Sequence, residues 1–297
     1  MTPLLFDRSL LRVRQRRVRA LGPATFLLDH AATELAERIS AVLRQFDVAV
    51  DLGASSDAVT YALAASGKVK TIVAAGFDAG ALDKSFLRIV SDEEELPFAD
   101  ASLDLVVSVL TLQFVNDLPG TLIQIRRALR PDGLFMAAIV GGDSLNELRT
   151  AFADAESEVE GGLSPHVAPF ADVRDFGALL QRAGFALPVV DSERLTVRYD
   201  SALALMHDLR RMGATNVMQE RRRRPLKRAT LRRLEAIYAG RFADTDGRLR
   251  ASFEIIWLSG WAPHESQQKP LKPGSAAQRL ADALGTREIP TGEKPER

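Results

Sequence analysis

Short apolar runs alternate with helix-like segments between residues 46 and 140. Two helices are predicted there, Ser56–Ala65 and Leu118–Leu129, because their apolar positions recur at helical spacing. Strands that alternate with helices form a parallel sheet covered by helices on both faces, and such sheets bind ligands at the carboxyl ends of their strands. The sequence therefore predicts an α/β fold. The candidate strands are Phe46–Leu52, Lys70–Ala75, Leu87–Val90, Leu103–Val109 and Gly133–Val140.

The regular alternation stops after Val140, and helices with two late strands follow. Asp143 or Ser144 is the predicted N-cap of the first of these helices, because such side chains accept hydrogen bonds from a helix start. We expect a basic helical arm at 1–45, a core at 46–142, a helical lobe with the last strands at 143–267, and a partly disordered tail at 268–297. The lobe elements are the predicted helices Leu145–Glu158, Val173–Ala183, Leu203–Met212 and 221–239, and the predicted strands Val189–Tyr199 and Ala251–Trp261.

Two segments of the chain are rich in arginine. Between Leu10 and Arg19 the arginines lie beside apolar residues, which indicates an amphipathic helix. This arm has three interpretations: a solvated helix face, a contact surface for an acidic partner or RNA, and a cleaved mitochondrial presequence. The second segment, Arg221–Arg233, has no interleaved aromatic residues for base stacking. A solvated face or an acidic protein partner is therefore favoured there over nucleic acid.

Composition and charge exclude several classes of protein. The 39 basic residues balance the 39 acidic ones, so the whole-protein charge gives no general attraction to nucleic acid or anionic membrane. The absence of cysteine excludes disulfides, thiolate metal sites and cysteine nucleophiles. The 4 histidines show no metal-ligand spacing, and no metal site is predicted. No apolar run approaches the ~20 residues of a membrane span, so we expect a cytoplasmic bacterial protein, with peripheral membrane contact left open.

The turn after the first candidate strand has features of a cofactor loop. Asp51 could answer a charged amine, and Gly53 and Ala54 allow a ligand to approach the backbone closely. Ser55 and Asp57 stand where further glycines would help such an approach. The alternative interpretation is an ordinary strand–helix turn, in which Asp57 is stabilised by the helix dipole.

The next two strand ends supply acidic candidates. Dinucleotide sites place an acid for the ribose hydroxyls after the second strand, but that position is Gly76 here, and Asp78 follows two residues later. Asp92 and Glu93 come after the third strand, ahead of Leu96, and suit an adenine edge and an apolar lid. The alternative for the two acids is a solvated turn.

Several motifs together resemble a known family. The order of VDLG, DEEELPF, LDLVVS and VNDLPGTLIQIRRALRPDGLF is similar to class I S-adenosylmethionine-dependent methyltransferases, whose sheet is Rossmann-like. More narrowly, FDRSLL, GGDSLNELR, GGLSPHVAPF, RAGF, DLRRMGATN and GWAPHESQ resemble the mitochondrial complex I assembly factor 5 family and its bacterial relatives, from about Phe6 to Ala276. Malonyl-carrier-protein O-methyltransferases are similar in the core but lack GGDSLNELR and the PHESQ-like end.

The resemblance implies an activity on a protein side chain. Members of the family are described as hydroxylating an arginine in the complex I subunit beside the terminal iron–sulfur cluster, so that subunit is the expected partner. The implied cofactor is S-adenosylmethionine. Weak or lost binding is an alternative hypothesis, because two loop glycines and the ribose acid are missing and Gln113-Phe114 replaces a His-Trp pair. The residues assigned to the cofactor are Asp51, Gly53, Ala54, Asp78, Asp92, Glu93, Leu96 and Gln113.

The lobe keeps the motifs of the resembled family. Polar residues at strand ends and in one loop predict a cleft for a substrate or partner protein, although each has a structural alternative as a helix cap, a loop histidine or a core tryptophan. No catalytic residue is assigned. Three functions stay open: modification of a complex I subunit, assembly of that subunit without chemistry, and methylation of a small molecule or carrier protein. The residues assigned to the cleft are Asp143, Ser144, Glu147, His166, Trp261 and His264.

Overall fold

The computed structural model describes residues 4–170, 172–268, 282 and 285–287. Most of them belong to one compact unit, Met1–Pro263, in which helices and strands alternate along the chain. The helices are α1 (Arg8–Leu21), α2 (Phe26–Ala41), α3 (Ala58–Ala65), α4 (Leu118–Ala128), α5 (Asn146–Glu160), α6 (Val173–Arg182), α7 (Ala202–Arg211) and α8 (Arg228–Phe242). The strands are β1 (Phe46–Leu52), β2 (Val69–Gly76), β3 (Leu87–Val90), β4 (Leu103–Val109), β5 (Leu129–Val140), β6 (Ala186–Tyr199) and β7 (Leu249–Trp261).

The strands pair into a 7-stranded sheet in the order β3-β2-β1-β4-β5-β7-β6. The strands from β3 to β5 in this order are parallel, whereas β7 runs antiparallel to β5 and β6. Parallel neighbours need a crossover connection, which α3 and α4 supply after β1 and β4. The strand order reverses between β1 and β4, so the carboxyl ends of these strands border the expected ligand crevice.

Two hydrophobic cores cover the two faces of the sheet. Successive residues of β5 alternate between them, because successive side chains of a strand point to opposite faces. One core contains buried residues of α2, α5, α7 and α8, and the other contains buried residues of α4 and α6. The predicted α/β class with helices on both faces and added lobe helices is therefore confirmed. The lobe helices pack directly on the sheet.

Most element ends lie within three residues of the predicted ones, with two larger differences. β5 begins at Leu129 rather than Gly133, and its register with β4 shifts between Leu103 and Leu105. An irregular start of this kind breaks the pattern by which a strand is predicted. The basic segment 221–227 is not helical, and α8 begins at Arg228.

The predicted N-cap of α5 is wrong. The cap position is Leu145, which has a positive φ of 54° and forms no side-chain capping bond. The hydroxyl of Ser144 is used elsewhere: it donates to the backbone O of Glu254 (3.1 Å) and accepts from the Glu254 N–H (2.9 Å). Asp143 is exposed and pairs with Arg194. Bonding to β7, a tertiary contact, therefore replaces the local capping bond that these residue types predict.

The N-terminal arm is anchored to the segment that precedes α8. Phe6 pairs with Met218, and the N–H of Asp7 donates to the backbone O of Val217 (2.8 Å). The Asp7 carboxylate caps α1 by accepting from Leu10 N–H (2.9 Å) and also pairs with Arg221 (3.1 Å). One side of α1 is thus held against the body of the protein.

The predicted tail, 268–297, lies almost entirely outside the described residues. The described residues from His264 onward belong to a second unit. Among the residues that the structure describes, no helix has the length and apolar character needed to cross a membrane.

Candidate functional site

Two adjoining cavities lie at the strand-end crevice. Cavity A, of about 290 Å³, is lined by the turns after β1, β2 and β4, by α1 and by residues 211–214. Cavity B, of about 280 Å³, is lined by Phe6, α5, α7 and the loops 166–170 and 214–217. Their volumes suit small ligands or single side chains. The residues common to both linings are Leu27, Gln113, Phe114, Val140, Met212 and Ala214.

The turn after β1 is bent towards the end of β2. The N–H groups of Gly53 and Ala54 both donate to the carbonyl of Ala75, at 2.7 and 3.0 Å. Gly53 has a φ of 82°, and a Cβ atom at this position would overlap the side chain of Thr111. Glycine is therefore required at position 53 by both conformation and space. The bent turn also engages the N–H groups that a bound ligand would otherwise use.

The end of β2 has no room for the ribose acid of a nucleotide site. A Cβ atom at Gly76 would lie closer than 3.0 Å to the carbonyl oxygen of Ala54. The β1 turn thus occupies the space that a larger residue at position 76 would need. Asp78 lies on the lining of cavity A, but its carboxylate is paired with Arg19 of α1 (2.9 Å).

Asp51 is buried beneath the turn and does not line cavity A. Its side chain accepts a hydrogen bond from the Thr60 hydroxyl (3.0 Å), which links β1 to α3. Burial raises the pKa of the Asp51 carboxyl to about 7, against the smaller lowering effect of Thr60. The carboxyl therefore changes its charge near neutral pH.

The acids after β3 are neutralised by α1. Arg8 lies between Asp92 (2.6 Å) and the buried carboxylate of Glu93, and Arg12 also pairs with Asp92. Burial disfavours the charged form of Asp92, but the N–H of Glu94 and the two arginines outweigh burial and lower its pKa. Both acids are thus paired with the chain's own guanidinium groups, and neither lines cavity A.

The remaining cofactor candidates have different positions. Leu96 is partly buried and packs against the apolar core, and its N–H donates to the side chain of Gln124 (3.0 Å). Gln113 lies in the wall between the two cavities, where its Nε2 donates to the carbonyl of Leu110 (2.7 Å). Its Oε1 is buried and has no hydrogen-bond partner among the described residues. The structure therefore brings only Ala54, Asp78 and Gln113 of the assigned set to cavity A, and their cofactor role stays a prediction.

One residue of the predicted cleft, His166, lines cavity B. Its Nε2 contacts the Oε1 of Glu156 (2.8 Å), and its ring stacks on Phe152 with a centroid distance of 3.9 Å. Glu156 also accepts from the Ser164 N–H (2.6 Å) and pairs with Arg222 (3.1 Å). Burial disfavours the charged form of Glu156, but His166 and the Ser164 N–H outweigh burial and lower its pKa. This network fixes the loop at 164–166 on α5.

The other predicted cleft residues do not line either cavity. Asp143 and Ser144 have the contacts described above, and Glu147 accepts from the N–H (3.1 Å) and hydroxyl (2.5 Å) of Ser252. Trp261 ends β7 opposite Leu134, and His264 contacts Ser266 (2.7 Å) within the second unit. These residues are held by structural contacts within the protein, and their role in binding a partner stays a prediction.

The sequence interpretation did not identify Glu156, which binds His166 of the cavity B lining. The buried face of α5 carries Leu148, Phe152 and Ala155, and Glu156 is also buried. An acid four residues after Phe152 therefore falls on the apolar face of the helix. Buried carboxylates are rare unless paired, so this position was a detectable signal of a buried polar network.

Comparisons with known proteins show which family the chain belongs to. A family model described as a methyltransferase domain matches residues 50–137. The arginine-hydroxylase NDUFAF5, mitochondrial, of Danio rerio is 37% identical over 94% of this chain and 89% of its own length. The Homo sapiens protein of the same name is 38% identical over 92% of this chain and 81% of its own length. The chain belongs to the NDUFAF5 arginine-hydroxylase family.

The NDUFAF5 family assignment agrees with more distant similarities. A malonyl-[acyl-carrier protein] O-methyltransferase of Methylovorus sp. is 32% identical over 87% of this chain and 90% of its own length. The crystal structure of a putative methyltransferase from Bacillus halodurans covers 78% of this chain and 99% of its own, with a TM-score of 0.52 and 15% identity. At this identity the structural likeness shows the fold alone.

This NDUFAF5 family member does not present the expected contacts for S-adenosylmethionine. Position 76 lacks the ribose acid, and the Ala54 carbonyl closes the space for one. The acids proposed for the adenine edge are paired with Arg8 and Arg12. The residues present therefore do not fit the cofactor through those groups in this conformation, although cavity A lies where a methyltransferase fold places it.

Proposed function

We propose that this protein serves a subunit of respiratory complex I and receives an arginine-bearing segment of that subunit at cavity B. Relatives that match nearly the whole chain are named arginine-hydroxylases, which supports arginine as the target side chain. The proposed reaction is modification of that arginine. The partner is the iron–sulfur subunit expected from the lobe motifs.

The position of cavity B carries this proposal. Its lining comes mostly from Phe6 and from the lobe. The lobe residues of the lining include members of the motif segments GGLSPHVAPF and DLRRMGATN. It shares Gln113 and Phe114 with cavity A, so a side chain in cavity B would lie next to the strand-end crevice. Ligand crevices of open α/β sheets occur at this edge.

Co-expression with the iron–sulfur subunit tests both binding and modification. We expect capture of the subunit on the tagged protein, and a mass gain of one oxygen atom or one methyl group on one of its arginines. Thr215→Trp fills cavity B and should abolish both signals. Thr33→Trp on the exposed face of α2 is the matched control and should keep both. Equal capture by the two variants would contradict binding at cavity B.

A second candidate is assembly of the same subunit without chemistry. The engagement of Asp92 and Glu93 by Arg8 favours it, because these acids are then unavailable to a nucleotide. Calorimetry with S-adenosylmethionine and S-adenosylhomocysteine separates the two candidates. Micromolar binding would remove the second candidate, whereas capture of an unmodified subunit without any cofactor binding would remove the first.

Methylation of a carrier protein is the third candidate, supported by the malonyl-[acyl-carrier protein] O-methyltransferase relatives. It ranks last because the lobe motifs resemble those of the complex I assembly family. A malonyl-carrier-protein substrate offered with S-adenosylmethionine tests it directly. Methyl transfer to the malonyl carboxylate would replace our proposal.

A further inference from the structure

We propose that the two arginine-rich segments of the chain form one docking surface for an acidic segment of a partner protein. This arginine surface combines the outward arginines of α1 with those of residues 210–224. The docking role does not depend on the proposed function, because it concerns how a partner is held and not which side chain is modified. The members of the arginine surface are Arg14, Arg17, Arg210, Arg221 and Arg223.

Residues 211–221 run alongside α1 in the opposite direction. Successive contacts along the helix meet this segment in reverse order. At one end Arg211 Nε donates to the Gly22 carbonyl (2.6 Å), and at the other Arg221 pairs with Asp7 (3.1 Å). The two arginine-rich segments are therefore neighbours along the helix, although they lie far apart in the sequence. The four contacts join Gly22 to Arg211, Val18 to Gly213, Arg14 to Asn216, and Asp7 to Arg221.

The arginines of α1 divide between two sides of the helix. Arg8, Arg12 and Arg19 pair with the acids that follow β2 and β3. Since each residue turns an α-helix by about 100°, Arg14 and Arg17 lie on the opposite side. Among the described residues, neither of these two forms an ion pair with a carboxylate. They are thus left for the surface next to residues 211–221.

Positive charge accumulates on the arginine surface with few carboxylates to balance it. Arg210 and Arg223 are exposed, and neither forms an ion pair in the described part of the chain. α1 contains no acid, and Glu220 is the one acid of residues 210–224. Burial lowers the pKa of the Arg14 guanidinium, and the charges of three neighbouring arginines lower it further. Carboxylates of a partner would relieve this repulsion. The three neighbours are Arg221, Arg17 and Arg210.

The residue types of the arginine surface favour protein carboxylates over nucleic acid. The basic residues of α1 and of residues 210–224 are all arginine, and neither segment contains an aromatic residue. Arginine binds a carboxylate through two parallel N–H···O bonds, and protein interfaces are enriched in arginine and depleted in lysine. Proteins that bind single-stranded nucleic acid instead use aromatic side chains on which the bases stack. The expected partner is therefore an acidic protein segment.

The orientation of α1 disfavours an anionic membrane as the partner. A helix that lies in a membrane interface turns its apolar face to the lipid. In α1, Leu11 is buried and Val18 lies on the lining of cavity A, so this apolar side faces the protein itself. Val13 and Leu21, four residues before and after Arg17, are exposed to 42% and 49%. They leave apolar contact area for a protein partner beside the arginines.

The arginine surface has the length of a short peptide and borders both cavities. α1 has 14 residues and is about 21 Å long, a distance that ~7 residues of an extended chain cover. Arg210 lies on the lining of cavity B, and the adjacent Arg211 lies on that of cavity A. An acidic segment bound to this surface would hold its protein at the rim of both cavities.

Fluorescence anisotropy with the full-length protein tests the docking surface. The probe is a labelled peptide of alternating glutamate and serine, about 12 residues long so that it spans the whole of α1. Its counterpart carries glutamine in place of glutamate. At low salt we expect the glutamate peptide to bind and the glutamine peptide not to bind. The double variant Arg17→Glu with Arg210→Glu should weaken binding of the glutamate peptide about tenfold, because two attractions become repulsions.

Lys70→Glu with Arg182→Glu is the matched control. Both side chains are exposed, neither forms an ion pair among the residues that the structure describes, and the net charge changes by the same amount. Lys70 lies near the amino end of β2, away from the strand-end crevice. Since salt screens distant charges, this variant should bind the glutamate peptide within about twofold of the wild type. An equal loss in both double variants would show attraction to net charge alone and overturn the docking surface.

Two further probes decide between classes of partner. Tighter binding of an oligouridylate with the same number of charges as the glutamate peptide would overturn the acidic protein partner in favour of nucleic acid. Retention on phosphatidylglycerol vesicles that is lost in Arg17→Glu with Arg210→Glu would overturn it in favour of a membrane. Weaker binding of both probes than of the glutamate peptide supports the proposal.

The outcome is separable from that of the proposed function. Thr215→Trp fills cavity B and should keep binding of the glutamate peptide. If the iron–sulfur subunit is not captured but the glutamate peptide binds and Arg17→Glu with Arg210→Glu weakens it, the complex I role fails and the docking surface stands. If the subunit is captured but the wild type binds the glutamate and glutamine peptides equally, the docking surface fails and the complex I role stands.

Discussion

Cavity A and cavity B lie side by side but use their polar groups in opposite ways. Around cavity A, the turn N–H groups bond to Ala75, and the acids at positions 78, 92 and 93 pair with arginines of α1. Gln113 lies in the wall that the two cavities share, and its buried Oε1 has no hydrogen-bond partner among the described residues, whereas His166 of cavity B is bound to Glu156 through Nε2. Polar groups satisfied within the chain stabilise the fold, whereas partnerless ones favour a ligand.

Asp51→Asn should have the largest effect on the region of cavity A. The carboxyl has an ordinary pKa of 3.8 and a pKa of about 7 in the folded protein. Between these two pH values it is protonated in the folded state and ionised in the unfolded state. The stability that this carboxyl contributes is present below pH ~4 and is lost as the pH rises to ~7, at a cost of about 4 kcal/mol at most. The asparagine keeps the Thr60 contact and should remove this pH dependence, measured by urea unfolding at several pH values.

The matched control for this experiment is Asp47→Asn, on the same strand with an exposed side chain. It should keep the wild-type pH profile. If Asp51→Asn showed the same loss of stability between pH ~4 and ~7 as the wild type, the buried carboxyl would not be its source.

Arg8→Ala should be the next largest change. It leaves the buried carboxylate of Glu93 without its partner, and removal of one partner from a buried pair costs about 3 kcal/mol. The same variant frees Glu93 and leaves Asp92 paired with Arg12 alone, so calorimetry should show tighter binding of S-adenosylmethionine if Arg8 is what excludes it. Arg17→Ala, on the exposed side of α1, should change neither quantity. Unchanged stability in Arg8→Ala would contradict a buried ion pair.

Glu156→Ala should destabilise the lobe more than a substitution on the exposed surface of the same helix. Glu156 is buried and bonds to His166, Ser164 and Arg222, so its loss should cost about 2–3 kcal/mol and release the loop that carries His166. Glu158→Ala, two residues later on α5 and exposed, is the control and should have little effect. Thermal unfolding and hydrogen exchange at 164–166 measure the difference. Equal exchange in both variants would show that Glu156 does not hold the loop.

Gly76→Asp should have the smallest of these effects, about 2 kcal/mol of destabilisation, because its Cβ would overlap the Ala54 carbonyl. It should also fail to create S-adenosylmethionine binding, since the β1 turn fills the space. Gly80→Asp, where a Cβ meets no atom within 4 Å, is the matched control for denaturant unfolding. Gain of cofactor binding in Gly76→Asp would show that the turn moves readily.

The sequence predicted the sheet well, whereas the positions of the assigned site residues depended on the tertiary structure. β1, β3 and β4 have the predicted bounds, because a buried parallel strand is a continuous apolar run with sharp ends. The cofactor residues were assigned from their positions next to predicted strand ends. Of the eight assigned residues, only Ala54, Asp78 and Gln113 line cavity A. A residue next to a strand end lies near the crevice. The direction of its side chain and its hydrogen-bond or ion-pair partners, however, depend on other helices and strands.

Ser144 and Glu156 show the limits of local interpretation. Ser144 has the residue type of a helix cap but bonds to Glu254, 110 residues away. Glu156 has the residue type of a solvated acid but lies on the buried face of α5, where His166 and Arg222 neutralise it. In both cases the partner belongs to a distant segment, and no spacing rule along the chain identifies it.

The sequence by itself determined the α/β architecture and the family, since apolar periodicity and motif order are encoded along the chain. Only the tertiary structure decided which polar groups are free for a ligand. Arg8 pairs with Glu93, which is 85 residues away in the sequence. Gly76, at the end of β2, lies against the Ala54 carbonyl in the turn after β1. Hydrogen-bond and ion-pair partners are set by three-dimensional proximity, so the same acids that suggested a cofactor contact became the anchor of α1.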